Sequence, residues 1–259
     1  MDRCKIMGIV NVTPDSFYSG SRYNDESLLL KIVDKMISDG ADIIDIGGVS
    51  TRPGSAIITV DEEEKRVMPA VKSVKKHFPE IEISVDTFRA VIAGKSCDEG
   101  CTIINDISGG IDEKLFDIVA KHKAAYILMH FYGDKEGRME NHIYNDIIVD
   151  MKEYFKEKIA KLKLTGIEKI IIDPGFGFSK TIEENYLVLK RLSKFKELEF
   201  PILAGLSRKS MIYKPLNITP EEALNGTTVL NTIALLNGAN ILRVHDVKEA
   251  VEVRKLVES

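Results

Sequence analysis

The 259-residue sequence predicts an α/β fold, a single-domain (β/α)8 TIM barrel with long mobile loops after its first and second strands. Three observations lead there. Short apolar runs alternate with amphipathic stretches from end to end, as in repeated βα units around a parallel sheet. Glycine recurs where those stretches stop, in "DGAD" (39–42), "EGCT" (99–102) and "NGAN" (237–240), as helix C-termini require. The length and the 44% hydrophobic composition suit one such barrel spanning residues 1–259.

The strand-like runs are eight: residues 4–12, 41–48, 82–86, 102–108, 124–130, 169–175, 201–207 and 240–246. Between them lie helical patterns such as 61–78, with Val67, Val71 and Val74 at helical spacing, and 183–198. An open doubly wound sheet is the alternative, but no G-x-G-x-x-G follows the first strand. After that strand the chain reads "NVTPDSFYSG" (11–20), and the next helical pattern starts only at Ser27. A connection of that length without structure of its own is functional or disordered. The stretches 47–64 and 131–145 are further long insertions.

Charge and cysteine usage narrow the partners. The 36 basic and 40 acidic residues are mixed along the chain to a net −4, with no basic stripe for nucleic acid, so a small-molecule partner is expected. Cys4, Cys97 and Cys101 fit neither a disulfide framework nor a zinc spacing, and no stretch approaches a membrane span. A soluble, cytoplasmic protein is expected.

In a barrel of this kind the chemistry gathers at the C-terminal ends of the strands. Those ends supply Asn11, Asp45, Asp86, Asn105 with Asp106, His130, Asp173, Ser207 with Arg208 and Lys209, then Arg243 and His245. Helix capping accounts for single Asp or Asn residues there, but not for Lys, Arg and His on neighbouring strands. Two groups separate. Asp86, Asn105, Asp173 and Lys209 suit the edge of a flat, amide-bearing heterocycle, since carboxylates accept from ring N–H and NH2 while Lys donates to a ring carbonyl. Asn11, Thr51, Arg52, Arg243 and His245 suit an anion such as phosphate, which Arg reads bidentately. The Thr-Arg pair in the second loop is placed like a lid over an anionic leaving group. No Ser–His or Cys–His pair for covalent catalysis is expected.

Seven stretches, "NVTPDSF" (11–17), "DIGGVSTRPG" (45–54), "SVDT" (84–87), "NDISG" (105–109), "DPGFGF" (173–178), "GLSRKS" (205–210) and "RVHDV" (243–247), resemble the motifs of the dihydropteroate synthase family of folate biosynthesis, in the family's order. The resemblance covers nearly the whole chain. It implies a pterin-binding barrel that joins dihydropterin-methyl diphosphate to p-aminobenzoate and releases diphosphate. By position it implies pterin contacts at Asp86, Asn105, Met129, Asp173, Gly205 and Lys209, and a diphosphate side at Asn11, Thr51, Arg52, Arg243 and His245. It further implies Mg2+ at Asn11 and an aminobenzoate side at Phe17, Pro53, Phe178 and Ser207. Catalysis would then draw on Asp15, Arg52, Asp86, Asp173, Lys209 and Arg243, with Asp15 facing a pterin-methyl cation. A homodimer is typical of the family. The chain departs from the family pattern after its fifth strand, at "HFYGD" (130–134), and contacts from that loop do not carry over. A corrinoid methyltransferase domain fed by methyl-tetrahydrofolate shares the pterin set but needs no anion pocket; a non-catalytic pterin-binding module leaves the long loops unexplained.

Overall fold

The structure, a computed structural model, describes residues 3–13, 22–49, 58–133 and 142–259. Eight parallel strands run β1 Lys5–Asn11, β2 Ile43–Gly47, β3 Glu82–Asp86, β4 Ile103–Asp106, β5 Ala125–Met129, β6 Ile170–Asp173, β7 Leu203–Ala204 and β8 Ile241–Val244. They are ordered β6-β5-β4-β3-β2-β1-β8-β7. The sheet closes on itself through a parallel Ile172–Ile202 bridge, with Ile172 N–H donating to Pro201 O at 2.9 Å. This is the barrel expected from the eight apolar runs.

Strand alternation divides each strand between two surroundings. Met7, Ile43, Ile103, Ile127, Leu203 and Ile241 pack together as a small cluster that fills the barrel. Their neighbours, among them Ile6, Ile44, Ile83, Ile104, Tyr126, Ile172 and Leu242, belong to the larger core between sheet and helices. The strands therefore look apolar on both sides, the mark of a parallel sheet buried on both faces.

Helices α1 Arg22–Asp39, α2 Val60–His77, α3 Ala90–Asp98, α4 Lys114–His122, α5 Ile147–Leu164, α6 Ile182–Lys190, α7 Ser210–Leu216, α8 Leu224–Leu236 and α9 Val247–Val257 surround it. α2 shows why they form where they do. Thr59 caps its start by accepting from Glu62 N–H; Asp61, Glu62 and Glu63 fill the first turn, and Lys75, Lys76 and His77 the last. Its Val67, Val71 and Val74 are buried, as their spacing requires. The glycines of the three predicted helix ends, Gly40, Gly100 and Gly238, adopt φ of 103°, 96° and 97°.

Two helix expectations are corrected. α1 starts at Arg22 and not Ser27, because residues 22–26 carry no apolar spacing to mark the helix in sequence. The stretch 183–198 is not one helix: α6 ends at Lys190, Arg191 N–H is shared between Leu187 O and Val188 O, and a 3-10 segment Leu192–Leu198 follows. That tighter winding turns Leu192 and Phe195, three residues apart, into the core together. Among the described residues no helix is long and apolar enough to cross a membrane.

Candidate active site at the barrel mouth

Register decides which polar side chains meet. Asn11 pairs with Gly47, Gly47 with Asp86, and Asp86 with Asn105, while Met129 pairs with Asp173. All lie on the inward parity of their strands, as do Asp45, Gly205 and Arg243. Gly47 leaves room between Asn11 and Asp86, since a Cβ there would lie 3.4 Å from Asp86 Cβ and 3.7 Å from Asn11 Oδ1.

A charged network spans this mouth. Arg243 Nε donates to Asp45 Oδ2 at 2.6 Å and its Nη2 to Asp86 Oδ2 at 2.7 Å. Asn105 Nδ2 donates to the same Asp45 Oδ2 at 3.1 Å, and Asn105 Oδ1 is buried with no hydrogen-bond partner among the described residues. On the far side Asp173 Oδ1 accepts from Gly175 N–H at 2.8 Å. Lys209 Nζ donates to Phe176 O and lies 4.8 Å from the centre of the Phe178 ring. Gly205 again makes space, a Cβ there falling 3.7 Å from Lys209 Nζ and 3.9 Å from Arg243 Cβ.

Burial sets the charge balance. It raises the carboxyl of Asp86 well above the usual range, aided by the charges of Asp45, Glu63 and Asp106 and opposed by Arg243. Burial raises Asp173 too, against the pull of Lys209. It lowers the Lys209 ammonium to about 8, with Asp173 working the other way. Such a set of shifted groups gathered at one barrel mouth is the kind of arrangement that active sites use.

Several expectations change. Arg243 does not stand apart in an anion pocket: it is bonded to Asp86, so the two groups read from the sequence share one network. Asp106 and His130 are turned out of the barrel. Asp106 pins the loop after β4, accepting from Ser108 N–H at 2.8 Å, Ser108 Oγ at 2.6 Å, Gly110 N–H at 3.0 Å and from Tyr126. His130 is wedged among Tyr132, Tyr154 and Phe155, and burial lowers its imidazole to about 2. Ser207 Oγ and His245 Nδ1 lie 2.9 Å apart, a contact between neighbouring strand ends that the sequence does not disclose. Ser207 is buried, and its Oγ also accepts from His245 N–H at 3.2 Å, tying the loops after β7 and β8 together. Arg208 faces away, paired with Asp246 at 2.8 Å. Asp15, Phe17, Thr51, Arg52 and Pro53 lie outside the described residues, with residues 14–21 and 50–57 of the loops that carry them and 134–141 of the third insertion.

Two contributors went unassigned in the sequence. Asp45 was legible only through alternation, two residues before Gly47. Lys180 donates to Gly175 O, Phe178 O and His130 Nδ1 at 3.1–3.2 Å, bracing the loop after β6. Gly175 itself has φ +67°, and a Cβ on it would lie 2.4 Å from His130 O. Gly175→Ala should therefore cost about 1–3 kcal/mol in stability and displace the Asp173 carboxylate. Thermal melting with pterin titration checks both.

A family model described as pterin binding enzyme matches residues 7–245. The dihydropteroate synthase of Escherichia coli (strain K12) is 43% identical over 256 residues, 98% of this chain and 90% of that protein. A crystal structure of dihydropteroate synthase from Clostridium difficile in the presence of pteroic acid superposes with a TM-score of 0.93 at 38% identity, covering 99% of this chain and 96% of that one. The Xanthomonas albilineans dihydropteroate synthase with 4-aminobenzoic acid superposes with a TM-score of 0.92 at 35% identity, covering 99% and 93%. Alike in sequence and in backbone along almost its whole length, the chain belongs to the pterin-binding enzyme family and, within it, to the dihydropteroate synthases.

Proposed function

We propose that this barrel mouth condenses 6-hydroxymethyl-7,8-dihydropterin diphosphate with p-aminobenzoate to give 7,8-dihydropteroate and diphosphate. The observation that carries the reading is the convergence of Asp86, Asn105, Asp173 and Lys209 from several strand ends on one barrel mouth, with Arg243 bonded to Asp86. Asn105 spends its amide N–H on Asp45, so its buried Oδ1 is left to accept from a pterin N–H. Asp86 and Asp173 accept from further ring donors, and Lys209 donates to the ring carbonyl. Met129 and Gly205 line the pterin slot.

The substitution is SN1-like. The C–O bond breaks with its electron pair leaving on diphosphate, and the exocyclic CH2 becomes a cation delocalised into the pterin. Asp86 and Asp173 stabilise that positive charge, while Arg243 and His245, with Thr51 and Arg52 from the second loop, stabilise the departing anion. The aniline nitrogen then attacks, forms the C–N bond and sheds its proton. Ser207 is buried and held by His245, so it serves as a strut and no covalent enzyme intermediate forms. Phe178, Ser207, Phe17 and Pro53 wall the aminobenzoate, and Asp15 faces the cation.

Mg2+ fits this site as a cation shared with the substrate. Among the described residues no group of three or more His, Cys, Asp or Glu could hold a metal. Asn11 offers one amide oxygen on the side of Gly47, where no side chain intervenes between Asn11 and Asp86, which would suit a cation that takes phosphate oxygens and water as its other ligands. When bound, Mg2+ neutralises charge on the leaving diphosphate. A homodimer in the cytoplasm is the setting we propose.

Release of diphosphate on mixing both substrates, with and without Mg2+, tests the function; no release rejects it. A secondary deuterium isotope effect near unity at the CH2 would replace the cation with direct displacement. Binding order supplies a further expectation. Aminobenzoate should bind the free enzyme weakly and much more tightly once pterin and Mg-diphosphate are present, because only then is its slot complete. Calorimetry of both states checks this, and equal affinities would mean a preformed slot.

A further inference from the structure

We propose that Asp45 is a positioning residue that joins the pterin side and the diphosphate side of the site into one unit. The inference rests on the functional reading above and adds a residue to which that reading gives no role.

Asp45 is completely buried on β2. In the sheet, β4 lies two strands to one side of β2 and β8 two strands to the other. From this central place a single oxygen, Oδ2, accepts from Asn105 of β4 at 3.1 Å and from Arg243 of β8 at 2.6 Å. One bond decides which end of the Asn105 amide faces the mouth, because a carboxylate accepts only from the NH2. The other, together with the 2.7 Å bond to Asp86, fixes both the position and the plane of the guanidinium.

Charge neutralisation alone does not explain Asp45. Asp86 already pairs with Arg243, and Asp45 sets a second buried carboxylate against the same guanidinium. Its Oδ1 is buried with no hydrogen-bond partner among the described residues. A charge held under such conditions is costly as a stability device. It is useful where two binding groups must be aimed from one point.

Calorimetric titration of wild type, Asp45→Ala and Asp45→Asn with a free pterin, and separately with Mg-diphosphate, tests the inference. Asp45→Ala should weaken both ligands by about tenfold or more, the effect of losing the aim of a charge-assisted hydrogen bond. Asp45→Asn still offers an acceptor to Asn105, so it should recover most of the pterin affinity and less of the diphosphate affinity. A merely structural role would lower the melting temperature and leave both affinities of the folded protein unchanged; that result overturns the proposal. Should Asp45→Ala fail to fold, Asp45→Asn decides alone, with unchanged diphosphate affinity as the overturning outcome. Wild type that binds neither probe would reject the functional reading itself, a result distinct from wild-type binding retained in the variants.

Discussion

Arg243→Ala should abolish turnover and cost roughly 3–5 kcal/mol of stability, the penalty for breaking a buried ion pair from one side. Removing the guanidinium leaves Asp45 and Asp86 close together without the cation bonded to both. The pH dependence of that loss is diagnostic. The Asp86 carboxyl, already raised by burial against the pull of Arg243, would then stand still further above its unfolded pKa. A group raised in this way is tolerated below its unfolded pKa and destabilises as pH rises through the folded pKa. Arg243→Ala should therefore approach wild-type stability near pH 4 and fall behind it steadily toward neutrality. Urea titrations at a series of pH values measure the gap; a gap independent of pH would mean that the Asp86 carboxylate does not sense Arg243.

Lys209→Ala should have the larger effect on recognition. A desolvated ring carbonyl would lose a charged donor worth roughly 1.5–3 kcal/mol, which lowers pterin affinity by about one to two orders of magnitude. The ammonium, lowered to about 8 by burial, must be protonated to donate. Asp86 and Asp173, both raised by burial, must be ionised to accept. In wild type kcat/KM should thus rise with pH as the carboxyls ionise and decline above about 8 as Lys209 loses its proton. The alkaline decline should vanish in Lys209→Ala, and its persistence would assign that limb to another group. Asp173→Asn should also be severe, because an amide turned to accept from one ring N–H presents its NH2 to another donor.

How far the sequence discloses this site depends on parity. Asp86, Asn105 and Asp173 were readable because each ends a short apolar run on the same inward phase as the barrel filling. Asp106 and His130 end their runs equally well in composition, yet they are one residue out of phase and do structural work outside. Only pairing register separates the two cases, and register belongs to the closed sheet rather than to any one run. The Arg243–Asp86 and Ser207–His245 contacts were hidden for a related reason, since they join strands far apart in the chain. The ends of α1 and of the 183–198 stretch are not legible in the sequence, because hydrophobic spacing reports the buried face of a helix and not its full extent.

The phase rule gives the barrel a modular economy under mutation. Residues on the outward phase, such as Ile44, Val85, Ile104 and Ile172, govern how helices seat on the sheet, while those on the inward phase near the mouth govern what is bound there. Point substitutions can thus tune durability and chemistry along separate axes within the same five-residue segment. A single inserted or deleted residue inside a strand cannot. It would exchange the two sets wholesale, bringing Val85 to the mouth in place of Asp86 and driving a carboxylate into the helix layer. These strands should accordingly tolerate drift in side-chain identity while resisting any change in length, and natural length variation should be confined to the connections between strands and helices.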